Sequence, residues 1–311
     1  MEIIEGIETI EKPYRNAVIT IGNFDGVHIG HQALFHEVIE KADAISGTSV
    51  AMTFEPHPVR VLGRNGIPLL ITLYEQKLEL ISRSGLDVLI SIPFTQEFSA
   101  VTAGEFVENI LVRRIGMKAI VVGRDYAFGK NREGSVEFLE EHAEQLGFEV
   151  IVADWIQAAA KRTDRISSTR IRELVAEGEI TEARKMLGRD YQIRGTVETG
   201  RNRGGRLLGF PTANIKLYDE LAPKMGVYAV VVEYQGKKHK GVANIGYSPT
   251  FDDHHFTVEV HILDFNDNIY GEKIRVNFVG RLRDEKKFSG ISELSEQIGK
   301  DIIKAREILS L

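Results

Sequence analysis

The fold class this sequence predicts is α/β followed by β: an N-terminal doubly wound parallel sheet, then a small antiparallel β-barrel with a terminal helix. Three observations predict it. From residue 17 to 153, short aliphatic runs alternate with longer segments of helical spacing. After about residue 188 the pattern changes to close-set alternating runs joined by tight turns. From residue 291 helical spacing returns and continues to the end.

The aliphatic runs are 17–21, 49–54, 87–92, 118–123 and 148–153. Continuous apolar runs of this length read as strands covered on both faces, as in a parallel sheet. The segments between them, 31–45, 73–85, 104–116 and 133–147, place apolar residues at helical spacing. The last three end on Gly85, Gly116 and Gly147, the usual helix stop. Repeated β-α-β units imply an open doubly wound sheet, with ligands at the carboxyl ends of its strands. Helical segments around 167–187 mark the join. Then 191–198, 226–234, 237–245, 256–265 and 272–280 read as antiparallel strands, with turns at Gly236 and at 266–268. In the final segment Ile291, Leu294, Ile298, Ile302 and Leu309 fall on one stripe, which predicts a helix packed on the barrel.

The 311-residue chain is 43% hydrophobic and 27% charged, with a formal net charge of −6. That suits a globular protein with a sizeable core and gives no general basic field for nucleic acid. There is no cysteine, which excludes disulfides, thiolate metal sites and a Cys nucleophile. The N-terminus lacks the basic and apolar regions of a signal peptide, and no run approaches the ~20 apolar residues of a membrane span. The expected location is the cytoplasm, with small-molecule partners rather than nucleic acid or membrane.

The first run leads into "GNFDGVHIGH" (22–31) and then a helix. A strand, a glycine-rich turn and a helix start form an anion site, with free amides and the positive end of the helix dipole. Gly22, Gly26 and Gly30 allow close backbone approach, and Phe24 and Asp25 belong to the same turn. His28 and His31 lie about one helical turn apart, so both imidazoles can donate to charge that grows on a phosphoryl group. The letters HIGH also occur in class I aminoacyl-tRNA synthetases, but no lysine-rich second signature follows. Instead Ser167, Ser168 and Thr169 suit a helix cap, with Arg172 in the first turn, a start able to clamp departing phosphates.

Four segments, "GNFDGVHIGH", "TFEPHP" (53–58), "VVGRDYAFGKNREGS" (121–135) and "ISSTRIR" (166–172), together resemble the adenylyltransferase module of bacterial bifunctional riboflavin kinase/FAD synthetases. The resemblance implies a Rossmann-like HxGH nucleotidyltransferase domain over 1–187. It would transfer AMP from ATP to FMN and release pyrophosphate. It also implies that His28 and His31 contact the ATP phosphates and that Ser168, Thr169 and Arg172 hold pyrophosphate. Phe54, His57, Asp125 and Phe128 would line the flavin and nucleotide pocket, although Phe54 and Phe128 suit core packing equally well.

The second half carries "GRNRGGRLLGFPTANI" (200–215). Its glycines, among them Gly200, Gly205 and Gly209, and its arginines, including Arg206, are what a triphosphate needs. Pro211 fixes the local backbone ahead of Thr212 and Asn214, whose oxygens can share one hard cation such as Mg²⁺. In "FTVEVHILDF" the apolar Phe256, Val258, Val260 and Ile262 share one face, which leaves Thr257, Glu259 and His261 on the other. Glu259 can there take a proton from a hydroxyl nucleophile. These segments, with "GVANIGYSPTF" and "LRDEKKFSGISELSEQIGKD", resemble the riboflavin kinase module of the same family. The resemblance implies a β-barrel over 188–311 that phosphorylates the ribityl 5′-hydroxyl with Mg-ATP, with Thr212 and Asn214 at the metal and Glu259 as base. Two other readings stay open at this point: an HxGH nucleotidyltransferase acting on a different phosphate, and a non-enzymatic flavin-binding regulator.

Overall fold

The computed structural model describes residues 1–63, 69–154, 165–198, 210–217, 219–247 and 256–310. The chain divides into two compact units, Met1–Ser167 and Ser168–Leu311.

The first unit contains β1 (Glu2–Glu5), β2 (Ala17–Ile21), α1 (Ile29–Ala44), β3 (Ser49–Glu55), α2 (Pro58–Val61), α3 (Tyr74–Ser82), β4 (Val88–Pro93), α4 (Gln96–Ser99), α5 (Ala103–Glu105), β5 (Met117–Gly123), α6 (Val136–Leu146) and β6 (Glu149–Ala153). The sheet order is β1-β4-β3-β2-β5-β6, with every pair parallel. The order reverses direction between β2 and β5, so the crevice beyond the end of β2 is the switch point of the sheet. All five expected strands form. The acidic, aliphatic N-terminal stretch adds β1, which the sequence reading leaves unassigned; it pairs with β4 at the sheet edge.

Successive residues of the inner strands serve opposite faces. Ala17, Ile19 and Ile21 join one core layer with Phe106, Leu111 and Leu139, while Val18 joins the other with Phe35, Val38 and Ile81. This is why the runs read as continuous apolar stretches. The expected helix over 104–116 begins as α5 and continues over Phe106–Ile115 as a π-helix that closes on Gly116 at φ 85°.

The second unit opens with α7 (Ser168–Glu177) and α8 (Ile180–Leu187). The barrel follows: β7 (Tyr191–Glu198), β8 (Ala213–Lys216), β9 (Gly226–Tyr234), β10 (Lys237–Tyr247), β11 (Phe256–Ile262) and β12 (Lys273–Arg283). These close in the order β10-β11-β8-β7-β12-β9. α8 packs on β7 and β12 and buries Ile180, Ala183, Met186 and Leu187. Both helices therefore count with the barrel, and the compact division falls ahead of the 187/188 boundary expected from sequence.

The terminal helix is α9 (Ile291–Ile308). Its Ala305, Ile302, Ile308 and Leu309 cover Val227, Ala229, Val242 and Leu282 of the barrel. Ile291 departs from the expected stripe and is 68% exposed. Periodicity identifies a helix face, but not how far along it the barrel reaches.

Candidate functional site

The HxGH turn leaves the end of β2 at the switch point. His28 is the N-cap of α1 rather than a residue on its surface: its Nδ1 accepts a hydrogen bond from the His31 amide at 3.3 Å. With Nδ1 used as acceptor, the proton of the neutral ring sits on Nε2. The two imidazoles stack with centroids 3.6 Å apart and planes 16° apart. Gly30 permits this, because a Cβ there would come within 3.1 Å of the His28 ring. His31 also meets the edge of Phe24.

Phe24 and Asp25, expected from sequence to bind nucleotide, turn inward. Phe24 packs edge-on against Phe35 in the core. The Asp25 carboxylate is buried and accepts from the amides of Ile71 at 3.1 Å and Thr72 at 3.0 Å. The Gly26 amide donates to Thr72 Oγ1 at 3.1 Å, with φ at +86°. These residues shape the turn from behind, since a short carboxylate surrounded by backbone donors is held by them. Gly22 continues the β2 ladder by donating to the Met52 carbonyl.

The adjacent strands contribute the aromatic side of the site. Phe54 is the penultimate residue of β3, and β5 is followed by Tyr126 and Phe128. These rings belong to one continuous cluster through Phe94, Phe98 and Phe106, with neighbouring centroids 5.3–6.2 Å apart. Phe128 is a core residue and Phe54 is half-buried against that core. Sequence reasoning missed Phe94, Phe98 and Phe106, because phenylalanines in separate segments give no sign of meeting. The Tyr126 hydroxyl is buried without a hydrogen-bond partner among the described residues, and burial pushes its pKa well up. His57 caps α2, its Nδ1 accepting from the Val59 amide, and exposed Asp125 pairs with Arg165 at 2.8 Å. Ser168 and Thr169 open α7 and Arg172 follows at the start of its second turn, in the second unit.

In the barrel, Asn214 of β8 stands opposite Glu259 of β11, and Glu259 stands opposite Asn244 of β10. Ala213, Ile215, Val258 and Val260 alternate with them and are buried inside. The amides and the carboxylate therefore share the outer face, as the alternation predicted. Glu259 forms no hydrogen bond or ion pair with a described residue, and burial raises its pKa above the ordinary carboxylate range. His261 Nδ1 lies 2.8 Å from the Pro211 carbonyl and, as donor, pins the segment before Thr212. Sequence placed His261 on this face without that role. Pro211, Thr212, Ala213, Val260 and Tyr270 border a cavity of about 360 Å³ at one end of the barrel. Gly200, Gly205, Arg206 and Gly209 lie outside the described residues.

Residues 10–170 match the FAD synthetase family, and residues 187–309 match the riboflavin kinase family. The chain belongs to the bifunctional riboflavin kinase/FMN adenylyltransferase family. Over 92% of this chain and 90% of its own length, the enzyme of that name from Listeria monocytogenes is 42% identical. The Buchnera aphidicola (Schizaphis graminum) enzyme is 38% identical over both full lengths. The Escherichia coli K12 enzyme is 36% identical over 100% of this chain and 99% of its own. The same fold is seen in a crystal structure described as a macrolide-efflux protein from Streptococcus pneumoniae. It is 34% identical, has a TM-score of 0.88, and the match covers 98% of this chain and 99% of that one. No helix among the described residues here is long and apolar enough to cross a membrane.

Proposed function

We propose that this family member makes FMN and FAD in two successive reactions, riboflavin phosphorylation at the barrel and adenylyl transfer at the HxGH turn. The observation that carries this reading is the pairing, in one chain, of an HxGH turn at a sheet switch point with a closed barrel that sets Glu259 opposite Asn214.

In the barrel, riboflavin gives up its ribityl 5′-hydroxyl proton to Glu259 while the oxygen attacks the γ-phosphorus of ATP, leaving ADP. A carboxylate kept in a poorly solvated place, with no cationic partner among the described residues, is the better base for that proton. Phosphoryl transfer otherwise needs positioning and charge neutralisation. Thr212 and Asn214 offer hard, neutral oxygens suited to Mg²⁺, on the segment that His261 holds in place. Bound there, the ion would neutralise charge on the polyphosphate. The cavity beside Thr212 is the place for the nucleotide; the amides of Gly200, Gly205 and Gly209 and the guanidinium of Arg206 have the chemistry to bind its phosphates.

In the first unit the FMN phosphate attacks the α-phosphorus of a second ATP, and pyrophosphate leaves. The phosphate is already anionic, so no base is required. His28 Nε2–H and the neighbouring His31 stabilise charge on the phosphoryl oxygens. Phe54 faces the flavin, with Phe128 and the linked rings packed behind it as the wall of the pocket and His57 and Asp125 at the rim. Ser168, Thr169 and Arg172 keep the pyrophosphate role on the chemistry of their hydroxyls and guanidinium.

The test is incubation with riboflavin and Mg-ATP followed by chromatographic separation of the flavins. FMN and then FAD are expected; unchanged riboflavin overturns the reading.

A further inference from the structure

One lysine of the first unit is placed where packing alone gives no reason for a charge. Lys77, in the first turn of α3, is 6% exposed. Its ammonium has three donors. One reaches the Phe54 carbonyl at the end of β3, at 3.2 Å. The Glu55 carboxylate lies 3.7 Å away, and the Tyr74 ring centroid 5.6 Å away. Burial lowers the lysine's pKa, partly offset by Glu55 and Asp25. Keeping an ammonium in such a place costs stability that a methionine of similar length would not cost.

The same turn of helix is tied to two more strand ends. The residues just before α3, Ile71 and Thr72, are the ones Asp25 holds behind the HxGH turn, and Thr72 also accepts from Gly26. Tyr74 donates to Ser91 on β4 at 2.8 Å. The start of α3 therefore bridges the phosphate turn after β2, the aromatic end of β3 and the end of β4.

We infer that Lys77 is a positioning residue for adenylyl transfer: through the Phe54 carbonyl it fixes the flavin-facing end of β3 relative to the HxGH turn. The inference rests on the reading that Phe54 faces the flavin. The polar grip of lysine on a carbonyl sets the direction of that strand end, which an apolar side chain filling the same space leaves loose.

The experiment uses the full-length chain carrying Lys77→Met, which keeps the apolar stem. Conversion of FMN to FAD is measured while FMN and ATP are varied in turn, and riboflavin phosphorylation by the second unit reports on folding. The expected result is a rise of about tenfold in KM for FMN, KM for ATP within about twofold, unchanged riboflavin phosphorylation, and partial recovery in Lys77→Arg. An unchanged KM for FMN, an equal rise for both substrates, or no recovery in Lys77→Arg overturns the proposal. If Lys77→Met does not fold, Thr72→Val cuts the other end of the same bridge. It must then raise KM for FMN selectively, and failure to do so is equally fatal. Phe54→Ala is measured in parallel. If it leaves KM for FMN unchanged, the flavin-facing reading fails by itself, whatever Lys77→Met does.

Discussion

Asn214 and Glu259 face each other across β8 and β11, on the side of the barrel that its apolar alternation leaves outside. The two residues lie far apart in sequence, and their register brings the proposed metal segment and the proposed base to one line. Glu259 is held there with a raised pKa, caused by desolvation.

Glu259→Gln is expected to lower riboflavin phosphorylation by about 10²–10⁴-fold, while added FMN is still converted to FAD. In the native enzyme the kinase rate is expected to rise with pH through a value above the ordinary carboxylate range. The folded chain holds this proton more tightly than the unfolded one, so ionising Glu259 costs folding stability. That cost appears as pH rises from the ordinary carboxylate value through the raised one, and persists above it. The Gln variant should therefore melt higher than the parent at neutral pH and match it at acid pH, which thermal melts at both pH values can check. A variant that phosphorylates riboflavin at the parental rate shows Glu259 to be a surface carboxylate only.

His28 caps α1, and in the proposed mechanism it also donates to phosphate; the two tasks are separable. Asn caps a helix well but does not place a donor where the imidazole Nε2 lies. His28→Asn is expected to fold normally and to lose FAD formation by about 10²–10³-fold, with FMN formation intact. Circular dichroism combined with the two assays checks this. Loss of both activities in a folded variant contradicts separate sites.

Gly26 has φ +86°, and a Cβ there would lie 3.2 Å from the Ile71 side chain. Gly26→Ala is expected to cost about 1–3 kcal/mol from backbone strain and to displace the HxGH turn. FAD formation should fall while riboflavin phosphorylation remains. Equal activity in both assays would show that the turn tolerates the change.

Arg283 at the end of β12 grips buried Asp301 of α9 in a two-pronged pair, with contacts of 3.1 Å and 2.8 Å. Gln297 donates to the same carboxylate at 3.0 Å. Removing one partner of a buried pair typically costs about 3–5 kcal/mol. Asp301→Ala is expected to destabilise the second unit on that scale and to lower riboflavin phosphorylation, with FMN conversion to FAD spared. Denaturant unfolding measured alongside both assays tests it.

Five strands of each unit were legible because each buries apolar residues in a simple pattern: continuous runs for the two-sided parallel sheet, alternation for the barrel, whose four-residue β8 was not among the expected runs. The expected barrel runs begin at or within a residue of the observed strands. The edge strand β1 was not legible, because Glu2–Glu5 is largely exposed and carries no such pattern. The HxGH residues were legible as a candidate site, but not His28 as a cap with its ring stacked on His31. Phe24 and Asp25 sat in the same motif and turned inward, since a motif does not state which side chains face the ligand.

By itself the sequence determined the two architectures, their order, and the chemistry available at each turn, because local spacing dictates strands, helices and anion-binding starts. Only the tertiary structure decided that α7 and α8 pack with the barrel, that Asn214 meets Glu259, and that Lys77 reaches the Phe54 carbonyl. These depend on register and on contacts between distant segments. Such contacts are fixed by how whole faces bury against one another, which no short stretch of residues encodes.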